Sequence, residues 1–153
     1  MSEAGQAITI LVAEDDPDDR LLMRDAFEET RLVDNLYFVE DGEELMDYLH
    51  RRGRYAAANT SPPPGLILLD LNMPRKDGRE VLKEIGADLD LRRIPVIVLT
   101  TSAAEEDIER SYELGANSFI TKPVTFGALV ELTRALHRFL LDTVALPGVC
   151  HAN

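Results

Sequence analysis

Four hydrophobic runs in this 153-residue chain each stop abruptly at a chemically useful polar residue. Residues 8–13 (Ile-Thr-Ile-Leu-Val-Ala) run into Glu14, Asp15 and Asp16. Residues 66–69 (Leu-Ile-Leu-Leu) run into Asp70, and residues 96–99 (Val-Ile-Val-Leu) into Thr100, Thr101 and Ser102. Ser118 to Thr121 lead to Lys122-Pro123. If the runs are parallel strands of one sheet, their C-terminal ends share one edge. Ligand sites of open α/β sheets form at that edge.

The segments between the runs read as helices. Asp16-Pro17 is a helix start, since Asp caps well and Pro suits the first helical position. A helix over about 17–30 pairs Leu22 with Ala26 and Met23 with Phe27 at i, i+4. Leu36 to Val39 reads as a short second strand, and Asp41 caps a helix carrying Leu45, Tyr48 and Leu49 on one side. Residues 53–65, with three consecutive prolines, form a long loop. Asp77-Gly78 is a turn signal before a helix over about 79–86. Ser102 and Glu105 have capping-box spacing, which starts a fourth helix that Gly115 ends. Thr125 caps a last helix to about 141, with apolar residues at 129, 132, 136 and 140. Strands and helices alternate five times, the pattern of a parallel sheet with right-handed crossovers. The expected domain spans 8–141, with tails at 1–7 and 142–153.

Composition narrows the function. Asp and Glu number 28 against 16 Lys and Arg, a net charge of −12, which repels phosphate backbones and argues against nucleic acid as a partner. The single cysteine, Cys150, offers neither an internal disulfide nor metal-type spacing. No apolar window is long enough to span a membrane, and residues 1–7 lack a signal-peptide pattern, so a cytoplasmic protein is expected. His50, His137 and His151 are far apart in sequence and read as surface residues.

Gathered at one edge, these residues suit a divalent cation and a phosphoryl group. Glu14, Asp15 and Asp70 would repel one another unless a cation intervened, and Mg²⁺ takes oxygen ligands of this kind. Asp70 could act as a nucleophile forming an acyl phosphate. Thr100 could donate to a phosphoryl oxygen, and Lys122 could pair with it or with Asp70. Taken singly, Thr100 and Lys122 are ordinary strand-end residues; the reading rests on all four positions together.

The segments Ile-Leu-Val-Ala-Glu-Asp-Asp-Pro, Leu-Leu-Asp-Leu-Asn-Met-Pro, Val-Leu-Thr-Thr-Ser and Ile-Thr-Lys-Pro resemble those of bacterial response-regulator receiver domains, in complete order over about 8–140. The resemblance implies a flavodoxin-like (CheY-like) doubly wound sheet of five parallel strands, order 2-1-3-4-5, with helices on both faces. It makes Asp70 the phosphoacceptor and Asp15 the direct Mg²⁺ ligand. Glu14 would act through water and Asn72 through its backbone carbonyl. Thr100 and Lys122 would contact the phosphoryl group, Phe119 would be the switch aromatic, and Pro123 would follow a cis peptide bond. The Pro-rich loop and the stretches around Asn72 and Thr100 look similar to single-domain regulators paired with bacterial phytochromes. That implies a light-regulated sensor histidine kinase as phosphodonor. The receiver resemblance itself implies a phosphoacceptor switch, not an enzyme, that catalyses its own phosphorylation and dephosphorylation. Thr101 and Phe119 depart from the commonest receivers, which often carry Ala or Gly and Tyr there.

Two rivals stand beside this reading. A phosphatase with an aspartyl-phosphate intermediate usually wants a second acid two residues after the nucleophile, where this chain has Asn72. A flavin carrier wants a hydroxyl- and Gly-rich loop after the first strand, where this chain has acids. With no effector region expected after 141, output would run through protein contacts. A homodimer through the face of the fourth helix, fifth strand and fifth helix is the simplest form.

Overall fold

The computed structural model describes residues 9–30, 36–57, 62–71, 73, 76–100, 118–123 and 125–145. Five parallel strands form one sheet: β1 (Ile10–Ala13), β2 (Leu36–Val39), β3 (Leu66–Asp70), β4 (Val96–Thr100) and β5 (Ser118–Thr121). Their order is β2-β1-β3-β4-β5, the order the receiver resemblance implies.

Each strand is apolar on both sides because both faces are covered. Leu11, Ala13, Ile67, Leu69, Val96 and Val98 point to one face, packing with α2 (Gly42–His50) and α3 (Gly78–Ala87). Ile10, Val12, Leu66, Leu68, Ile97 and Leu99 point to the other, against α1 (Pro17–Glu29) and the C-terminal helix (Phe126–Ala145). Each such side chain contributes about 1.5–3 kcal/mol on burial, so slipping a strand by one residue would exchange the two cores at no polar gain.

The helices start where the caps predict. Asp16 accepts the N–H groups of Asp18 and Asp19, with Pro17 at the first helical position. Asp41 accepts the N–H of Glu44, and Thr125 Oγ accepts that of Ala128. Asp77 and Glu80 form a full capping box, so Gly78 begins α3 and the turn signal is also a helix start. The buried face of α1 is Met23, Ala26 and Phe27, while Leu22 is exposed. Buried Thr133 ties the C-terminal helix to α1, its hydroxyl meeting the carbonyls of Val130 and Ala26 at 2.7 and 3.3 Å.

Two expected boundaries move. The first strand begins at Ile10 rather than 8, and the C-terminal helix continues past 141 to Ala145. Nothing in Asp142-Thr143-Val144-Ala145 breaks a helix; the first breaker is Pro147. The helix expected from Ser102, its stop at Gly115, and Cys150 lie outside the described residues. No helix among the described residues is long and apolar enough to cross a membrane.

Candidate phosphoryl and metal site

The strand register brings the sequence-predicted residues together. Ala13 pairs with Leu69, Asp70 with Leu99 and Thr100 with Thr121, so Glu14, Asp70, Thr100 and Lys122 all lie at the C-terminal edge. Two further bonds hold that edge beyond the strands proper. The N–H of Glu14 meets the carbonyl of Val39 at 3.0 Å, and that of Leu71 meets the carbonyl of Leu99 at 3.4 Å.

Three carboxylates meet there. Oxygens of Glu14, Asp15 and Asp70 lie within 4.8 Å of one another, Glu14 and Asp70 buried and Asp15 exposed. Three hard oxygen donors this close, one open to solvent, suit a divalent cation that keeps part of its water shell. The Lys122 ammonium touches two of them, Glu14 Oε1 at 2.6 Å and Asp70 Oδ2 at 3.2 Å. Its third partner is Asp19 Oδ2 on the first turn of α1, at 2.8 Å. The sequence reading did not single out Asp19. It is three residues past the Asp16 cap, at the helix end that sits over the strand edge, and no local sequence signal marks that contact between elements.

The charges perturb one another. Burial pushes the Glu14 carboxyl up to about 7, and the Asp70 charge adds to this. The Lys122 bond and the N–H of Asp16, 3.1 Å from Glu14 Oε2, pull the other way without cancelling it. Burial alone would lower the Lys122 ammonium. Its bonds to Asp19 and Glu14 and the charge of Asp70 outweigh that and hold it protonated. A cation added beside Glu14 would favour its charged form.

The backbone behind Asp70 is held by a close approach. The N–H of Gly78 donates to the Leu71 carbonyl at 3.0 Å. A Cβ on Gly78 would sit 2.7 Å from Leu71 Cα and 2.9 Å from the Asp70 carbonyl, so only glycine fits. Gly42, at the start of α2, is pressed as closely on the same loop, against Lys76. On the β1 side, the Arg20 guanidinium donates to the Glu14 carbonyl at 2.8 Å and fixes the acidic turn.

Phe119 is partly buried against the core on the α2/α3 face. Thr100 ends β4 in register with Thr121. Asn72 lies outside the described residues, so its carbonyl remains an expectation. The cis bond expected before Pro123 is not found: no peptide bond among the described residues is cis. The trans form of an X–Pro bond is favoured by about 0.5–1 kcal/mol, and the motif alone does not reverse that. Pro123 instead lines a cavity of about 190 Å³ with Asp19, Leu22, Met23, Leu99, Lys122 and Leu129.

Comparison with known proteins agrees with this geometry. The response regulator receiver domain family matches residues 10–134. Response regulator Rcp1 of Synechocystis sp. is 42% identical over 146 residues, covering 95% of this chain and 97% of that protein. The crystal structure of the phosphorylated cyanobacterial phytochrome response regulator RcpA is similar, with a TM-score of 0.80 and 43% identity over 89% of this chain and 95% of that one. The Mn²⁺-bound form of Rcp1 gives a TM-score of 0.77 at 43% identity, covering 89% of this chain and 96% of that one.

Proposed function

The chain belongs to the response-regulator receiver family, and from that premise we propose that Asp70 takes a phosphoryl group from the histidine of a bacteriophytochrome-type sensor kinase. The observation that carries the proposal is the convergence of Glu14, Asp15, Asp70 and Lys122 at one sheet edge. The similarity to regulators named for phytochrome signalling supports the choice of kinase.

In the proposed reaction an Asp70 oxygen forms the new O–P bond while the bond from phosphorus to the donor's leaving group breaks, the leaving group keeping the electron pair. Asp15, Asp70 and the Asn72 carbonyl would hold Mg²⁺ directly, with Glu14 acting through water. The divalent ion supplies charge neutralisation for the transferring phosphoryl oxygens. Lys122 moves from Asp70 to a phosphoryl oxygen, and Thr100 donates its hydroxyl to another. Arg20 and Gly78 keep the two acidic turns in place. The new charge then biases the position of Thr100 and the packing of Phe119, and with it the surface read by partners. The same site would return the phosphoryl group to water.

Acetyl phosphate with Mg²⁺ should add one phosphate to the intact protein, and Asp70→Asn should add none. A full mass gain in that variant would refute the assignment. Incubation with a phytochrome kinase and ATP, in light and in dark, tests the donor; transfer indifferent to light would remove the pairing. A symmetric dimer through the face of the fourth helix, β5 and the C-terminal helix is the proposed output form. Light scattering that finds a monomer in both phosphorylation states would exclude it.

A further inference from the structure

We propose that Asp19 is a positioning residue that acts through Lys122, holding the ammonium at the rim of the site so that Asp70 is free to react. The inference rests on the phosphoacceptor reading of Asp70. An ammonium has three N–H donors, and here three carboxylates receive them: Glu14 at 2.6 Å, Asp19 at 2.8 Å and Asp70 at 3.2 Å. Two of these acceptors have other work in the reaction. Glu14 and Asp70 belong to the acidic trio, and the Asp70 carboxylate becomes an acyl phosphate on phosphorylation. Asp19 alone among the three stands outside that trio.

Geometry keeps Asp19 in that role. It is the third residue of α1, its own N–H 3.4 Å from the Asp16 cap, and the helix start favours its negative charge. The Asp19 and Lys122 side chains, 35% and 14% exposed, stand at a cavity whose other walls are Leu22, Met23, Leu99, Pro123 and Leu129. Apolar walls strengthen an ion pair relative to one in open water. Without Asp19, three donors would share two acceptors. The ammonium would settle on Glu14 and Asp70, and the Asp70 oxygen would have to shed a tighter partner before attacking phosphorus.

Asp19→Asn keeps the side chain's size and removes its charge. Phosphorylation of Asp70 by acetyl phosphate and Mg²⁺, which releases acetate as the O–P bond forms, should slow about fivefold, the upper end for a partly exposed ion pair. Asp19→Glu should recover part of the rate. In a Lys122→Met background, Asp19→Asn should cause no further loss, because its effect passes through the ammonium. A second readout needs no phosphoryl transfer: the Lys122 ζ-ammonium nitrogen resonance of metal-free protein should exchange faster with water in Asp19→Asn. An unchanged resonance, an unchanged rate, or an equal loss in the Lys122→Met background would overturn the proposal. A wild-type protein that takes up no phosphate would instead overturn the Asp70 reading and leave the resonance to decide on Asp19.

Discussion

Carboxylates gather in two regions of this molecule, and the two are built in opposite ways. At the strand edge, three carboxylates converge on the one ammonium of Lys122. At the start of α2, several donors converge on one carboxylate. Glu44 accepts the N–H of Glu40 at 2.7 Å, the Arg54 guanidinium and the Tyr55 hydroxyl. The second cluster is closed further by rings, Tyr55 lying 5.0 Å from Tyr48, whose hydroxyl reaches the Pro62 carbonyl at 2.8 Å. An acid surrounded by donors fastens a loop. Carboxylates that outnumber the cation they share store repulsion that a further cation can relieve. Both regions are acidic in sequence, so the ratio of carboxylates to cations at the point of convergence separates the site from the fastening.

The contrast can be broken most sharply by pH. Glu14 is raised from 4.5 to about 7 in the folded protein. An acid raised on folding adds stability that is present below about 4.5 and lost as pH rises through about 7. Metal-free protein should therefore lose about 1–3 kcal/mol across that window. Glu14→Gln should flatten the slope in urea titrations at several pH values. A slope unchanged in the variant would mean that the edge is not strained by Glu14.

At the α2 cluster the sign should reverse. Glu44→Ala removes an acceptor on which donors already depend, and should cost about 1–2 kcal/mol at neutral pH. A variant as stable as the wild type would erase the distinction between the two regions.

The smallest effect is expected at Asp15. It is exposed, so Asp15→Asn should stabilise metal-free protein by no more than about 1 kcal/mol, and less at high salt. The same variant should lose the rise in Tm expected of the wild type with Mg²⁺. A full metal-dependent rise in Asp15→Asn would remove Asp15 from the ligand set.

Much of this was legible in the sequence because parallel strands put their C-terminal ends on one edge. Once the apolar runs are strands, Glu14, Asp70, Thr100 and Lys122 must share an edge, and the register places them so. Helix starts were legible because Asp16, Asp41 and Thr125 act locally. What escaped depends on contacts between elements. Asp19 matters only because α1 leans over the end of β5, which no local spacing encodes. The geometry before Pro123 turns on a difference too small for a motif to decide. The extra turn of the C-terminal helix was missed by stopping where the apolar periodicity thinned rather than at the first true breaker, Pro147.

Gly78 carries a consequence for anyone who would redesign the protein. Replacing a helix glycine by alanine is a routine route to a more rigid helix. Here the added methyl group would collide with the main chain of Asp70 and Leu71. The first residue of α3 and Asp70 thus behave as one mechanical part. Stiffening the former would shift the aim of the latter, so α3 can be reinforced from its second turn onward but not from its first residue.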